Sequence, residues 1–199
     1  SSSAAIASAS STSASSVARS ECGMSRQSST TPAVSVLLPV YNGGQYLKFA
    51  VESVLAQTSY VPMEVLIVDN GSVEERTRAY LSQLETGPNV RVLRYPHAYN
   101  FSAINNFAVR HSLGSHVCFL NNDTEVVEGR WLSEMMRQAI RPSVGAVGAK
   151  LLYEDGTIQH AGVIVGMGDA AGHPHRSSPH SESGYFSQIH AAAQVTAVT

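Results

Sequence analysis

Asp123 has the chemical setting in this 199-residue chain that best suits catalysis or metal binding. It follows two amides, Asn121 and Asn122, directly after the apolar run His116–Leu120, which we predict to be a buried strand. A carboxylate flanked by amides on such a loop suits a hard divalent cation that keeps several waters and shares the phosphates of a substrate. Such a cation would stabilise the charge that develops on a departing diphosphate. The alternative is a turn or a helix cap, in which Asn and Asp are common.

Asp69 is a second carboxylate at the end of an apolar run, residues 65–68, and it opens the turn sequence Asp-Asn-Gly-Ser. It could accept a hydrogen bond from the imide N–H of a uracil or thymine ring, or it could simply close the turn. Asn105 has a similar ambiguity, because it lies one turn into a predicted helix and could face a ligand or solvent. Asn100 is the favoured N-cap of that helix, with Ser102 as its competitor.

Apolar segments of strand and helix periodicity alternate from Pro32 onward. This alternation predicts right-handed βαβ units and a mostly parallel sheet flanked by helices. Ligands of such sheets bind outside the carboxyl ends of the strands, so the three polar turns should share one edge. The predicted strands cover 34–40, 65–68, 90–93 and 116–120, and the predicted helices cover 46–55, 73–84, 101–108 and 131–140.

The last third of the chain has a different pattern. Residues 144–153 and 158–165 should form a hairpin through the turn Asp155-Gly156, and 166–187 should form a long loop. Residues 189–199 are expected to form an edge strand, which could pair with a second copy of the chain in a homodimer. The histidines of this part lack the spacing of a structural zinc site, so a solvated loop is favoured over a metal site: His160, His173, His175, His180 and His190.

The beginning of the chain and its composition set further limits. Residues 1–31 are almost all Ser, Ala and Thr, so we expect a disordered leader before a domain at 32–199, with a transit peptide as the alternative. A net charge of -2 argues against nucleic-acid binding. We expect no bridge between the two cysteines, Cys22 and Cys118, and therefore a reducing, cytoplasmic setting. No apolar stretch is long enough to cross a bilayer.

Several ordered motifs together resemble family 2 glycosyltransferases, from about Ala33 to the end of the chain. The motifs are Val-Ser-Val-Leu-Leu-Pro-Val-Tyr-Asn at 34–42, Leu-Ile-Val-Asp-Asn-Gly-Ser at 66–72, Asn-Phe-Ser-Ala-Ile-Asn-Asn at 100–106, Leu-Asn-Asn-Asp-Thr-Glu at 120–125, Gly-Arg-Trp-Leu at 129–132 and Asp-Gly-Thr-Ile-Gln-His-Ala-Gly at 155–162. The later motifs resemble the rhamnosyltransferase-like branch, which makes bacterial cell-surface polysaccharides.

The resemblance implies a fold and a set of roles. The fold would be GT-A, a Rossmann-like, mostly parallel α/β sheet with an incomplete, mixed carboxyl-terminal part. The donor would be a UDP- or dTDP-linked sugar bound with Mg²⁺ or Mn²⁺, and the acceptor a saccharide or a lipid-linked molecule. The protein would be cytoplasmic or peripheral to the inner face of the membrane. Asp69 would hold the base and Asp123 the metal, and the remaining nucleotide contacts would be Pro39, Tyr41, Asn42, Asn105, Asn121 and Asn122.

Two departures from the family pattern limit what the resemblance implies. Asn70 and Asn121 stand where the family usually has acids, so only Asp123 can supply a charged metal ligand. The general base of an inverting transfer is expected beyond Thr199. The alternative function is therefore a nucleotide-binding module without catalysis. A nicotinamide-binding domain is disfavoured, because no Gly-x-Gly-x-x-Gly turn follows the first strand.

Overall fold

The structure is a computed structural model, and it describes residues 4–8 (backbone only), 31–166, 170–182 and 189–198. Strands and helices alternate as predicted up to residue 139. The elements are β1 Ala4–Ser8, β2 Val34–Val40, α1 Gly44–Gln57, β3 Met63–Asp69, α2 Glu75–Leu84, β4 Val90–Arg94, α3 Phe101–His111, β5 His116–Leu120, α4 Trp131–Ala139, β6 Ala146–Gly148, β7 Leu151–Leu152, β8 Ile158–His160, β9 Ile164–Val165 and β10 Ala171–Gly172.

The central sheet has the strand order β4-β3-β2-β5-β1-β6. Strands β4, β3, β2 and β5 are parallel, whereas β1 runs antiparallel to both of its neighbours. Val40 is paired with Asp69 across β2 and β3, and Leu37 is paired with Phe119 across β2 and β5. The carboxyl ends of β2, β3 and β5 therefore meet at one edge, which confirms the predicted parallel sheet.

Helices cover both faces of this sheet because alternate side chains of each strand point to opposite faces. On one face, Val36 and Leu38 of β2 pack with buried residues of α1, α2 and α4. On the other face, Leu37 packs with Ile104 and Ala108 of α3. Burial on both faces explains why the strand sequences are nearly continuous apolar runs.

The hairpin predicted at Asp155-Gly156 is present but short. Only β7 and β8 pair there, and the predicted strands 144–153 and 158–165 are each interrupted. The predicted loop 166–187 also contains a short strand, because Ala171–Gly172 (β10) pairs with Ile164–Val165 (β9). The fold class is nevertheless as expected, a parallel α/β sheet followed by small antiparallel pairs.

The strand predicted at 189–199 was wrong for the described residues of that segment. Ile189 and His190 form a short 3₁₀ turn, and the remainder is irregular apart from a single bridge between Val163 and Ala197. Backbone hydrogen bonds from residues 196 and 197 to Val163 hold this segment, together with side-chain packing: a Cβ added to Gly162 would lie 2.6 Å from Val195. The edge strand on which we based a homodimer is therefore not formed.

The leader predicted to be disordered includes β1, so that prediction does not hold at Ala4–Ser8. This short, uncharged segment pairs with β5, whose edge would otherwise present unpaired backbone groups. Residues 1–3 and 9–30, Cys22 among them, lie outside the described residues, and their disorder stays a prediction. Cys118 is buried with a free thiol, and burial raises its pKa to about 12. No described helix has both the length and the apolar character to cross a membrane.

Candidate functional site

Asn42 ties the turn after β2 to the turn after β3. Its backbone lies in the left-handed region at φ 54°, and its N–H donates to the hydroxyl of Ser72 at 2.9 Å. Its side-chain oxygen accepts from the backbone N–H groups of Val73 and Glu74 at 2.9 and 3.0 Å. Asn42 therefore holds the turn after β2 against the turn after β3, and this structural role is independent of any contact with a ligand.

Asp69 ends β3 and is only 3% exposed. One carboxylate oxygen accepts from the N–H of Ser72 at 2.9 Å, which closes the turn as one of the two interpretations expected. The other accepts from Arg94 at 2.8 Å, and Arg94 also donates to Glu85 at 2.8 Å. A cleft of about 360 Å³ opens beside this group, and it is lined by Asp69, Gly71, Ser72, Arg78, Ser82 and Arg94. Asp69 thus closes the turn and also borders the cleft.

Asn70, which stands where the family usually has an acid, uses its amide to hold the loop after β4. Its Nδ2 donates to the carbonyl oxygens of Tyr95 at 3.0 Å and His97 at 2.8 Å. A carboxylate could not donate either bond. The substitution therefore has a local structural role, in which the β4–α3 loop is fixed against the Asp69 turn.

Asn121, Asn122 and Asp123 follow β5 at the same edge of the sheet. The two amides are half-buried and the carboxylate is exposed. The hydroxyl of Thr124, which is buried, donates to the carbonyl of Asn121 at 2.7 Å. Since β2 separates β3 from β5 and neighbouring strands are about 4.8 Å apart, this loop leaves the sheet from a strand about 10 Å from β3.

The other predicted nucleotide contacts lie on the elements around these turns. Pro39 is half-buried within β2, and Tyr41 beyond it is 57% exposed. Asn105, on α3, is buried and donates to the carbonyl of Phe101 at 2.9 Å. Its Oδ1 has no hydrogen-bond partner among the described residues. Asn100 accepts from the N–H of Ala103 at 2.9 Å, which confirms it as the N-cap of α3.

The oxygen donors at the loop after β5 fit Mg²⁺ or Mn²⁺, because both metals prefer carboxylate and amide oxygens. Within the described ranges, no three His, Cys, Asp or Glu side chains are grouped so as to hold a metal ion. A cation at Asp123 would therefore need oxygens from a bound diphosphate and water to complete its coordination, which is how Mg²⁺ is commonly held.

His160 is buried and is paired with another histidine. The N–H of Gly162 donates to Nε2 of His160 at 3.2 Å, so the ring proton lies on Nδ1 and can donate to Nδ1 of His173 at 3.0 Å. Burial, and then the neighbouring His173, hold the pKa of His160 below its usual value. Both ring nitrogens of His160 are thus engaged by the protein, and the prediction of a solvated loop was wrong for this histidine, which is buried at the end of β8.

Arg94 is the contact at this site that sequence reasoning missed. It is the cross-strand partner of Asp69 in the β3–β4 register, and this pairing brings its guanidinium to the cleft. The available signal was a basic residue, Arg94, at the end of β4, the next strand in the chain after the one that Asp69 ends. Its meaning depends on the strand register, which the sequence pattern does not supply.

Comparison with known proteins agrees with the fold and the motifs. The model of the family described as Glycosyl transferase family 2 matches residues 35–167. An uncharacterised protein of Sinorhizobium fredii is 46% identical over 170 residues, which are 85% of this chain and 19% of that protein. The O-antigen biosynthesis protein RfbC of Myxococcus xanthus is 49% identical over 144 residues, which are 72% of this chain and 11% of that protein.

A solved structure gives the fold. The mannosyltransferase PcManGT from Pyrobaculum calidifontis, in complex with GDP-Man and Mn²⁺, matches with a TM-score of 0.53 and 22% identity over 58% of this chain and 34% of that chain. The sheet and its flanking helices thus define a GT-A fold. The chain belongs to glycosyl transferase family 2. It spans about a fifth or less of the two curated relatives described above.

Proposed function

We propose that this chain binds a pyrimidine nucleotide-diphospho-sugar together with Mg²⁺ or Mn²⁺ at the carboxyl edge of its sheet. The observation that carries the proposal is the arrangement of two carboxylates on that edge. Asp69 borders a cleft at the end of β3, and Asp123 is exposed in the loop after β5, which is the second neighbour of β3 in the sheet. A base held near Asp69 would extend its diphosphate along the edge toward a metal at Asp123.

Asp69 and Arg94 together offer the base both kinds of hydrogen-bond partner. The carboxylate accepts from a ring N–H, and the guanidinium, which is 48% exposed, has donors left for a ring carbonyl. Uracil and thymine have an imide N–H between two carbonyls and match this pair. This complementarity supports a UDP- or dTDP-linked donor.

We further propose that the chain acts in inverting transfer of the sugar to a saccharide or lipid-linked acceptor in cell-surface polysaccharide synthesis. Its similarity to an O-antigen biosynthesis protein supports this assignment. Of the acids near the hairpin, Asp155 accepts from the N–H and hydroxyl of Thr157 at 2.9 and 2.7 Å, so it closes the turn and is not proposed as the base. The homodimer stays a prediction, without the edge strand on which it was based.

Asp123→Ala tests the metal site directly. The variant should lose the Mn²⁺-dependent part of UDP binding, measured by calorimetric titration with and without Mn²⁺, because its only charged metal ligand is gone. Glu125→Ala is the matched control, since Glu125 is an exposed acid two residues away on the same loop and should leave the titration unchanged. Equal Mn²⁺ dependence in Asp123→Ala and in the unmodified chain would contradict the proposed site.

A further inference from the structure

The loop that carries Asp123, residues 121–130, is attached to the carboxyl-terminal half of α1. Ser53 bonds to the middle of the loop: its hydroxyl accepts from the backbone N–H of Val126 at 3.1 Å and donates to the carbonyl of Ala50 at 3.0 Å. Ser53 and Val126 are each 8% exposed. This contact therefore lies in the protein interior, where water does not readily replace it.

A second group of contacts holds the far end of the loop. The carbonyl of Gly129 accepts from the backbone N–H of Ser59 at 3.0 Å and from its hydroxyl at 2.9 Å. The indole of Trp131 donates to the hydroxyl of Thr58 at 3.0 Å. A Cβ on Gly129 would lie 2.6 Å from the carbonyl oxygen of Gln57, so the loop lies directly against the end of the helix.

The loop is also braced on the side of β5. The buried Thr124 donates to the carbonyl of Asn121, so the segment from Asn121 to Val126 is fixed at both ends, with Asp123 exposed between them. The Ser53 hydroxyl supplies the downstream fixation.

We propose that Ser53 is a positioning residue for the metal ligand Asp123; this inference rests on the proposed function. Without the hydroxyl, the N–H of Val126 would be buried with no acceptor, and the loop would shift to expose it to water. A cation that shares its coordination between one carboxylate and a diphosphate requires that carboxylate to be accurately placed. Partners that orient a metal ligand typically change metal affinity by about 10-fold to 100-fold when they are removed.

The test is a graded series at position 53 in the full chain. Ser53→Thr keeps a hydroxyl acceptor, Ser53→Cys fills the space with a weaker acceptor, and Ser53→Ala removes the acceptor. The Mn²⁺ concentration that half-saturates binding in the presence of UDP should be about the same for Ser and Thr, higher for Cys, and about tenfold higher for Ala. Mn²⁺ binding is followed by water proton relaxation, which does not depend on turnover.

Ser59→Ala is the control, because it removes a bond from the same helix end to the same loop while the backbone N–H of Ser59 still holds Gly129. It should leave the Mn²⁺ half-saturation within about twofold, and UDP binding without metal should be similar in every variant. If Ser53→Ala does not fold, Ser53→Cys against Ser53→Thr gives the answer.

The outcomes separate this inference from the proposal on which it depends. If the unmodified chain binds Mn²⁺ with UDP and all position 53 variants bind it equally, the role of Ser53 is contradicted and the site stands. If Mn²⁺ affinity follows the melting temperature and not the hydroxyl, Ser53 is a stability residue only, and the inference is likewise overturned. If the unmodified chain binds no Mn²⁺ in the presence of UDP, both proposals fall.

Discussion

Glu64 and Asp69 are two carboxylates on the same strand, β3, one near its amino end and one at its carboxyl end. Glu64, at the amino edge, has a side chain that is 14% exposed and accepts from the hydroxyl of Ser35, the N–H of Leu113 at 2.7 Å and Arg91 at 3.0 Å. Through these bonds it joins β2, β4 and the loop before β5. Burial alone would raise its pKa, but these hydrogen bonds outweigh burial and leave the pKa below its usual value.

Asp69, at the carboxyl edge, is more deeply buried but borders open space. Its partner Arg94 is 48% exposed, and both side chains line the cleft of about 360 Å³. The contacts of Glu64 all serve the fold, whereas those of Asp69 leave a charged pair at a cavity. Burial of a carboxylate therefore does not by itself mark a functional site. The space next to the carboxylate distinguishes the two.

Asp69→Asn should produce the largest functional change that separates the two carboxylates. The amide can still accept from Ser72, but its N–H group would face the guanidinium and a ring N–H. We expect UDP affinity in the presence of Mn²⁺ to fall about tenfold or more, because a hydrogen bond to a charged group contributes about 1.5–3 kcal/mol. The melting temperature should change by only a few degrees, since ion pairs with an exposed partner contribute little. Affinity within twofold of the unmodified chain would leave Asp69 as a turn former.

Glu64→Gln should give the opposite pattern. The amide cannot accept all three bonds, so we expect a loss of about 2 kcal/mol in the free energy of unfolding and a melting temperature about 4–8 °C lower. UDP affinity should not change. Glu134→Gln is the control, because Glu134 forms an exposed ion pair with Arg137 on α4 and its loss should cost almost nothing. A loss of nucleotide affinity in Glu64→Gln would show that the two edges are coupled.

The structural role of Glu64 should also appear, as a smaller effect, in how the free energy of unfolding depends on pH. A carboxyl group whose pKa is lower in the folded chain stabilises it above the unfolded pKa, and this stabilisation is lost as pH falls through the folded value. The stability gap between the unmodified chain and Glu64→Gln should therefore be constant near neutral pH and narrow below about pH 4.5, the ordinary value for Glu. Urea unfolding at several pH values measures the gap. A gap that widens in acid would mean that Glu64 is not the group that titrates.

The alternating elements, and the meeting of the turns after β2, β3 and β5 at one end of the sheet, could be predicted from the sequence because apolar periodicity is a local property. The run at 34–40 is largely buried on both faces of the sheet, and its apolar sequence indicates this without knowledge of the rest of the chain. The outcome at 189–199 could not be predicted in this way, since it depends on packing against distant glycines: a Cβ on Gly148 would lie 2.7 Å from Val198. The roles of Arg94 and Ser53 likewise depend on strand register and on a contact 73 residues away in sequence.

The most direct test of the central claim is thermal unfolding of the chain with UDP, dTDP, GDP and ADP, each with and without Mn²⁺. A ligand at one hundred times its dissociation constant stabilises the folded state by about 2.7 kcal/mol, which is roughly 5 to 10 °C for a chain of this length. A metal-dependent shift of that size with UDP or dTDP, and a much smaller one with GDP and ADP, is the expected result. No shift with any nucleotide, or an equal shift with all four regardless of Mn²⁺, would contradict a metal-dependent pyrimidine nucleotide site at this edge.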